Sequence, residues 1–130
     1  MKKARILICD DEEGIRESLD LILGRDYRLA FAADGEAAMA QAQQEPFDLA
    51  LVDIKMPRMN GLELLKWFRQ RQPTMPVIML TAYQSVEMAQ EATTLGAADY
   101  LPKPFEQASL KKAIARVLTS TAKTKKAPTA

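Results

Sequence analysis

Short apolar runs that alternate with helical patterns constrain the fold of this chain more strongly than any other feature. The runs occupy residues 6–9, 29–32, 49–52 and 77–80, with a weaker one at 98–101. The stronger runs leave neither face polar, which is typical of strands covered on both sides in a parallel sheet. The sequence therefore predicts five strands buried inside a layered α/β fold.

Helical patterns fill the intervals between these runs. After the first run and after the last one, apolar residues recur at the three- and four-residue spacing of an amphipathic helix. Asp34 and Asn60 have side chains that suit helix N-caps, Glu63 completes a capping box with Asn60, and Gly96 suits the end of a helix. The pattern predicts a (βα)5 chain, an α/β doubly wound parallel sheet of strand order 2-1-3-4-5, which is the flavodoxin-like arrangement.

Length and composition set the domain count and exclude several kinds of site. The 130 residues suffice for one domain, which we place at residues 1–118, because large apolar residues stop there and 119–130 have the composition of a polar basic tail or linker. The chain has no histidine, which excludes a Ser-His-Asp triad, a His-ligated zinc and an imidazole general base. The net charge of +1 gives no general attraction to nucleic acid or to an anionic membrane.

Targeting and redox features also bear on location. The apolar run after the basic start is too short for a secretory signal, and no run approaches the roughly 18 residues that a membrane span needs. Cys9 is the single cysteine and cannot form an intramolecular disulfide, so we expect it to be buried in the first strand. These features predict a cytoplasmic protein without membrane association.

Polar side chains follow the predicted strands at their carboxyl ends. Asp10 and Asp11 follow the first strand, Asp53 follows the third, Thr81 closes the fourth, and Lys103 lies between two prolines after the fifth. Taken singly, each has an ordinary interpretation as a helix cap, a turn residue, a β-branched strand end or a solvated lysine. Because loops at the carboxyl ends converge at the switch point of such a sheet, we expect these residues to lie together.

Together, these residue types favour phosphoryl chemistry. Three clustered carboxylates repel one another unless a cation neutralises them, and an all-oxygen set is what Mg²⁺ prefers. Thr81 is suited to bind one phosphoryl oxygen and Lys103 another. A carboxylate also serves as a nucleophile toward phosphorus, and Asp53 is the central one. The sequence therefore predicts a Mg²⁺ site beside a phosphoryl-accepting aspartate.

The ordered set of these residues resembles the phospho-accepting receiver domains of two-component response regulators. The resemblance covers residues 4–118. Lys55 and Tyr83 stand where chemotaxis-type receivers commonly have Asn and Glu, and in this the chain is most similar to sporulation-phosphorelay and nitrogen-regulation-type receivers. The landmarks occur in family order, namely Asp10-Asp11, Asp53, Met56-Pro57, Asn60-Gly61, Thr81-Ala82, Tyr100 and Lys103-Pro104.

The resemblance implies a phosphorylation-dependent signalling switch with defined chemistry. Asp53 would take a phosphoryl group from a phosphohistidine on a sensor histidine kinase or a histidine phosphotransfer protein. Asp11, Asp53 and the backbone carbonyl of Lys55 would bind Mg²⁺, and Asp10 would act mainly through a metal-bound water. The protein would not be an enzyme in the ordinary sense, because it would catalyse only its own phosphorylation and dephosphorylation.

The resemblance also implies how the switch is read. Thr81 and Tyr100 would form the switch pair, and Lys103 would precede a cis peptide bond. The output would be a separate downstream protein or an effector domain fused beyond residue 130. A phosphorylation-dependent homodimer is a further option, and the domain itself would not bind nucleic acid.

The phosphoryl donor would rest on a small patch of this domain. The apolar residues of the patch have an alternative interpretation as the edge of the core. The patch comprises Gly14, Ile15, Pro104 and Phe105.

Two other functions use related chemistry at strand ends. An aspartate-nucleophile phosphatase of the haloacid dehalogenase type needs a second Asp two residues after the nucleophile, and position 55 is Lys. A flavin-binding module needs a Ser/Thr/Gly-rich phosphate loop after the first strand, where this chain has four acids at 10–13. Both alternatives are therefore weaker than the receiver.

Overall fold

The computed structural model describes residues 3–82 and 85–126, and for 121–126 it describes the backbone alone. Strands and helices alternate along these residues. The strands are β1 (Arg5–Cys9), β2 (Arg28–Ala32), β3 (Leu49–Val52), β4 (Val77–Thr81) and β5 (Asp99–Pro102). The helices are α1 (Glu13–Leu23), α2 (Gly35–Gln44), α3 (Gly61–Arg71), α4 (Val86–Thr94) and α5 (Gln107–Lys126). Tyr83 lies outside the described residues.

The strands form one parallel sheet in the order β2-β1-β3-β4-β5, which confirms the predicted topology. The register pairs Cys9 of β1 with both Ala32 of β2 and Val52 of β3, and it pairs Val52 with Met79 of β4. The carboxyl ends of neighbouring strands therefore lie nearly level with one another. Side chains that follow these strands are brought to one edge of the sheet.

Two apolar layers cover the sheet and explain why the strands are apolar on both faces. Along β1, Leu7 and Cys9 pack in the layer formed with α2 and α3, whereas Ile6 and Ile8 pack in the layer formed with α1 and α5. These four side chains are at most 1% exposed. Burial of this kind contributes about 1.5–3 kcal/mol for each large aliphatic side chain, so the layers hold the strand ends firmly in place.

Helix ends follow the capping chemistry that the sequence predicts. The Asp34 side chain accepts a hydrogen bond from the backbone N–H of Ala37 at 2.8 Å. Asn60 and Glu63 form both hydrogen bonds of a capping box at the start of α3. Gly96 follows α4 with φ at +99°, a conformation that residues with a Cβ rarely adopt.

Helix α5 is longer than the apolar pattern indicates. It continues through 119–126, where the sequence predicts the frayed end of the last helix passing into a polar tail or linker. Large apolar residues stop after Leu118, and Thr119 and Ser120 are exposed, but Ala and Lys still favour helix. The division into a domain at 1–118 and a tail at 119–130 stays a prediction. Within the described part of the chain, no helix combines the length and apolar character required to cross a membrane.

Gly61 lies directly against the backbone that carries Asp53. Its N–H donates to the carbonyl oxygen of Ile54 at 2.7 Å. A Cβ at this position would lie 2.2 Å from the carbonyl oxygen of Asp53 and 2.8 Å from Cα of Ile54. By contrast, a Cβ at Gly14 in α1 would meet no atom within 4 Å. The start of α3 therefore approaches the β3 loop at a distance that only glycine permits.

Replacing Gly61 by alanine should destabilise the protein. We expect Gly61→Ala to lower the free energy of unfolding by about 1–3 kcal/mol, because backbone must shift to admit the methyl group. Gly14→Ala is the matched control and should be neutral or stabilising by up to about 1 kcal/mol, since alanine restricts the unfolded chain. Urea unfolding followed by circular dichroism measures both. Equal stability of the two variants would contradict the close approach at Gly61.

Candidate functional site

The carboxyl edge of the sheet contains the buried polar residues of the fold. Among the described residues, the buried polar or charged side chains are those of Asp10, Asp53, Thr81 and Lys103, each at most 8% exposed. Backbone hydrogen bonds extend the sheet to these positions, because Asp53 donates to Cys9 and Lys103 donates to Thr81, each at 3.0 Å. The fold thus brings together the residues that the sequence predicts to form one site.

The ammonium of Lys103 lies among the carboxylates. Its Nζ is 2.6 Å from Oδ2 of Asp10, 3.3 Å from Oδ2 of Asp53 and 3.3 Å from Oε1 of Glu12. Burial opposes the charged form, but the hydrogen bonds and charges of Asp10 and Asp53 outweigh burial and raise the pKa of Lys103. The side chain is therefore a protonated, buried counter-charge. Its peptide bond to Pro104 is cis, as the resemblance implies.

Asp10 is held from several directions. Its Oδ1 accepts a hydrogen bond from the backbone N–H of Glu12 at 2.9 Å, and its carbonyl oxygen accepts one from the guanidinium of Arg16 at 2.7 Å. Burial raises the pKa of Asp10, although the hydrogen bonds from Lys103 and from the Glu12 backbone act in the opposite direction. Asp10 is therefore a fixed carboxylate on the inner side of the site.

The loop after β3 is anchored beside Asp53. Oδ1 of Asp53 accepts a weak hydrogen bond from the backbone N–H of Lys55 at 3.4 Å. The next residue, Met56, is buried, and its sulfur lies 3.4 Å from the thiol of Cys9. These contacts fix the Lys55 backbone next to the carboxylates, while its side chain is exposed and lines the cleft described below.

Cys9 is a buried strand residue, as the sequence predicts. Its thiol also donates to the carbonyl oxygen of Asp34 at 3.4 Å. Burial, followed by the nearby negative charges of Asp34, Asp10 and Asp53, raises the pKa of Cys9 to about 12. The thiol therefore stays protonated at neutral pH and packs as a small apolar group.

The acidic residues at this edge form a set that fits a divalent cation. Asp10, Asp11, Glu12 and Asp53 each place a carboxylate oxygen so that these atoms lie within 4.8 Å of one another. An all-oxygen, partly exposed set leaves room for water, which suits Mg²⁺. Sequence reasoning assigned no role to Glu12, because acids in the first turn of a helix are usually explained by the helix dipole. A cleft of about 380 Å³ opens here and is lined by Asp11, Glu12, Asp53, Lys55, Thr81, Ala82 and Lys103.

The two predicted switch residues lie on neighbouring strands. Thr81 ends β4 at the cleft, whereas Tyr100 is half-buried on β5, in register with Met79. Burial raises the pKa of Tyr100, so the phenol stays neutral and able to donate a hydrogen bond. Their coupling on phosphorylation stays a prediction.

The predicted docking residues fall into two kinds. Ile15 and Phe105 are half-buried and pack against the layer formed with α1 and α5. Gly14 and Pro104, which precede them in the sequence, are exposed. This arrangement fits both a docking patch and the edge of the core, so the patch stays a prediction.

Comparisons with known proteins agree with this geometry. A family model described as the response regulator receiver domain matches residues 6–115. The response regulator protein PilR of Pseudomonas aeruginosa is 40% identical over 121 residues, which cover 91% of this chain and 27% of PilR. The transcriptional regulatory protein ZraR of Escherichia coli K12 is 40% identical over 124 residues, which cover 92% of this chain and 28% of ZraR. The chain thus spans about a quarter of the length of these relatives.

A solved structure supports the same relationship. The crystal structure of a CheY-like response regulator receiver domain protein from Methanospirillum hungatei matches this fold with a TM-score of 0.91 and 36% sequence identity, covering 95% of this chain and 99% of that one. These comparisons give no support to a phosphatase of the haloacid dehalogenase type. The chain belongs to the response regulator receiver domains and is a phosphorylation-dependent switch of two-component signalling.

Proposed function

We propose that Asp53 accepts a phosphoryl group from a phosphohistidine on a sensor histidine kinase or a histidine phosphotransfer protein. The observation that supports this most directly is the setting of Asp53, a buried carboxylate that lines the cleft with its Oδ2 at 3.3 Å from the Lys103 ammonium. Because these 130 residues contain no histidine, the phosphohistidine lies outside this domain.

The transfer forms one bond and breaks one. A carboxylate oxygen of Asp53 attacks phosphorus, and the bond from phosphorus to the donor's imidazole breaks with its electron pair returning to nitrogen. Lys103 and Thr81 line the same cleft and bind oxygens of the transferred group. Later attack of water on phosphorus releases inorganic phosphate and restores the carboxylate.

Receiver domains bind Mg²⁺ at an acidic pocket, and we assign the ion to this cleft. Asp11, Asp53 and the backbone carbonyl of Lys55 would bind it directly, with Asp10 acting through a metal-bound water. The clustered carboxylate oxygens and the exposure of Asp11 to solvent support this assignment. When bound, the ion supplies positive charge that offsets the repulsion between the carboxylates and an anionic donor.

The output depends on parts of the pathway outside this chain. We infer that Thr81 and Tyr100 respond to the phosphoryl group and pass the change to an effector domain fused beyond residue 130 or to a separate output protein. The fused arrangement is supported by PilR and ZraR, which are about four times as long as the segment they share with this chain. The domain itself would not bind nucleic acid. Any homodimer of this domain would form on phosphorylation. The cytoplasmic location and the absence of turnover on other substrates also stay predictions.

Phosphorylation should occur at Asp53 alone. Incubation with acetyl phosphate and Mg²⁺ should add one phosphoryl group, which mass spectrometry detects, and Asp53→Asn should abolish the addition. Asp26→Asn, at an exposed aspartate, is the matched control and should be labelled like the unmodified protein. A label that survives in Asp53→Asn would show that the acceptor lies elsewhere. Sustained hydrolysis of phosphomonoesters would favour the phosphatase alternative.

Removing the ammonium of Lys103 should make stability depend more strongly on Mg²⁺ than it does in the unmodified protein. Without the metal, we expect Lys103→Met to lower the free energy of unfolding by about 3 kcal/mol, because Asp10 and Asp53 lose their buried counter-charge. Excess Mg²⁺ should restore part of this loss, since it neutralises the same carboxylates in the folded protein only.

Urea unfolding with EDTA and with Mg²⁺ measures the effect. Lys111→Met, at an exposed lysine of α5, is the control and should change stability by less than about 0.5 kcal/mol. A Lys103→Met variant whose stability is the same with and without Mg²⁺ would argue against a cation at this cleft.

The docking patch should affect the rate of phosphoryl transfer from a protein donor but not from a small molecule. Ile15→Ala and Phe105→Ala should each slow transfer from a phosphohistidine protein by about fivefold or more, since apolar anchors dominate such contacts. Labelling by acetyl phosphate, which needs no docking, should be nearly unchanged. Leu21→Ala is the control, because Leu21 is 85% exposed on α1. If both donors slow equally, Ile15 and Phe105 act through the core instead.

A further inference from the structure

The Lys103 ammonium has three N–H donors and faces three carboxylates. Asp10, Asp53 and Glu12 each place an oxygen 2.6–3.3 Å from Nζ. A phosphoryl group on Asp53 would turn that carboxylate into an acyl phosphate and bring anionic oxygens beside Nζ. The carboxylates of Asp10 and Glu12 would then compete with these oxygens for the N–H groups of Lys103.

The three carboxylates differ in how firmly they are held. The side chains of Asp10 and Asp53 are 3% and 5% exposed, whereas that of Glu12 is 62% exposed. Asp10 also accepts a hydrogen bond from the Glu12 backbone, and Asp53 is the group that receives the phosphoryl. An ion pair with an exposed partner is worth little, but breaking a buried pair is costly. The Glu12 contact is thus the one that breaks most easily.

Glu12 also has a second favourable position close by. It is the N-cap residue of α1, and its side chain forms no capping hydrogen bond there. The first turn of a helix has unpaired N–H groups and a positive dipole end, so a released carboxylate is stabilised near it. Moving away from Lys103 therefore leaves Glu12 in a suitable environment.

We propose that Glu12 is an exchangeable partner of Lys103, which contacts the ammonium in the unphosphorylated protein and is displaced by the phosphoryl group. This inference rests on the proposed function of Asp53. Glu12 is then a positioning residue that weakens phosphoryl binding in two ways. It occupies an N–H donor of Lys103, and its negative charge repels an incoming anion. The residue at position 12 therefore affects how tightly the site at Asp53 binds a phosphoryl group.

Beryllofluoride tests this inference, because it mimics a phosphoryl group on aspartate and needs no donor protein. Its affinity is measured by calorimetry at saturating Mg²⁺ for the unmodified protein, Glu12→Gln and Glu13→Gln. Glu13 is the matched control, since it is the adjacent exposed acid and its replacement removes the same charge. We expect Glu12→Gln to bind beryllofluoride about three- to fivefold more tightly, with Glu13→Gln within about twofold of the unmodified protein.

A second titration, with Mg²⁺ alone, separates displacement from a role as a cation ligand. Glu12→Gln should change Mg²⁺ affinity by less than about threefold. If beryllofluoride affinity rises equally in Glu12→Gln and Glu13→Gln, the effect comes from general surface charge and the inference is overturned. Unchanged or weaker beryllofluoride binding by Glu12→Gln, with or without a large loss of Mg²⁺ affinity, would also overturn it. If the unmodified protein binds no beryllofluoride, the proposed role of Asp53 itself fails, and this inference fails with it.

Discussion

The buried contact between the Lys103 ammonium and the carboxylates of Asp10 and Asp53 is the interaction on which this site depends. It joins residues that are 93 and 50 positions apart in the chain and that follow β5, β1 and β3. Burying like charges at one edge of a sheet is unfavourable unless a counter-charge lies among them. The Lys103 ammonium provides that charge at the edge where we propose that a cation and a phosphoryl group bind.

The sheet and its loops make this cluster rigid on the inside and adjustable on the outside. Strands buried on both faces hold the inner carboxylates in place, and Gly61 allows α3 to begin against the backbone of Asp53. The exposed side chains of Glu12 and Lys55 line the cleft on its solvent side. A donor that transfers a phosphoryl group to Asp53, as we propose, would approach from that side, so the side chains it meets first are those that cost least to move.

Much of this architecture could be predicted from residue patterns because it depends on local rules. Apolar runs and capping residues indicated the strand order and the helix starts, and the convergence of carboxyl ends predicted that Asp10 and Lys103 would meet. The contact of Glu12 with Lys103 was not predictable, since it depends on a side-chain orientation across 91 residues. The residue at which α5 ends was not predictable, because an apolar pattern indicates which residues are buried, whereas Ala and Lys favour helix whether or not they are buried.

A crystal structure with Mg²⁺ and beryllofluoride would test the central claim most directly, namely that Lys103 keeps its buried contact with Asp10 and pairs with the phosphoryl group on Asp53. The account predicts the analogue on a carboxylate oxygen of Asp53, with Nζ of Lys103 within about 3 Å of one of its fluorines. The contact between Lys103 and Asp10 should remain while Glu12 has moved away. An analogue bound to Asp10 or Asp11, or a Lys103 whose contacts are the same as in the unliganded protein, would contradict it.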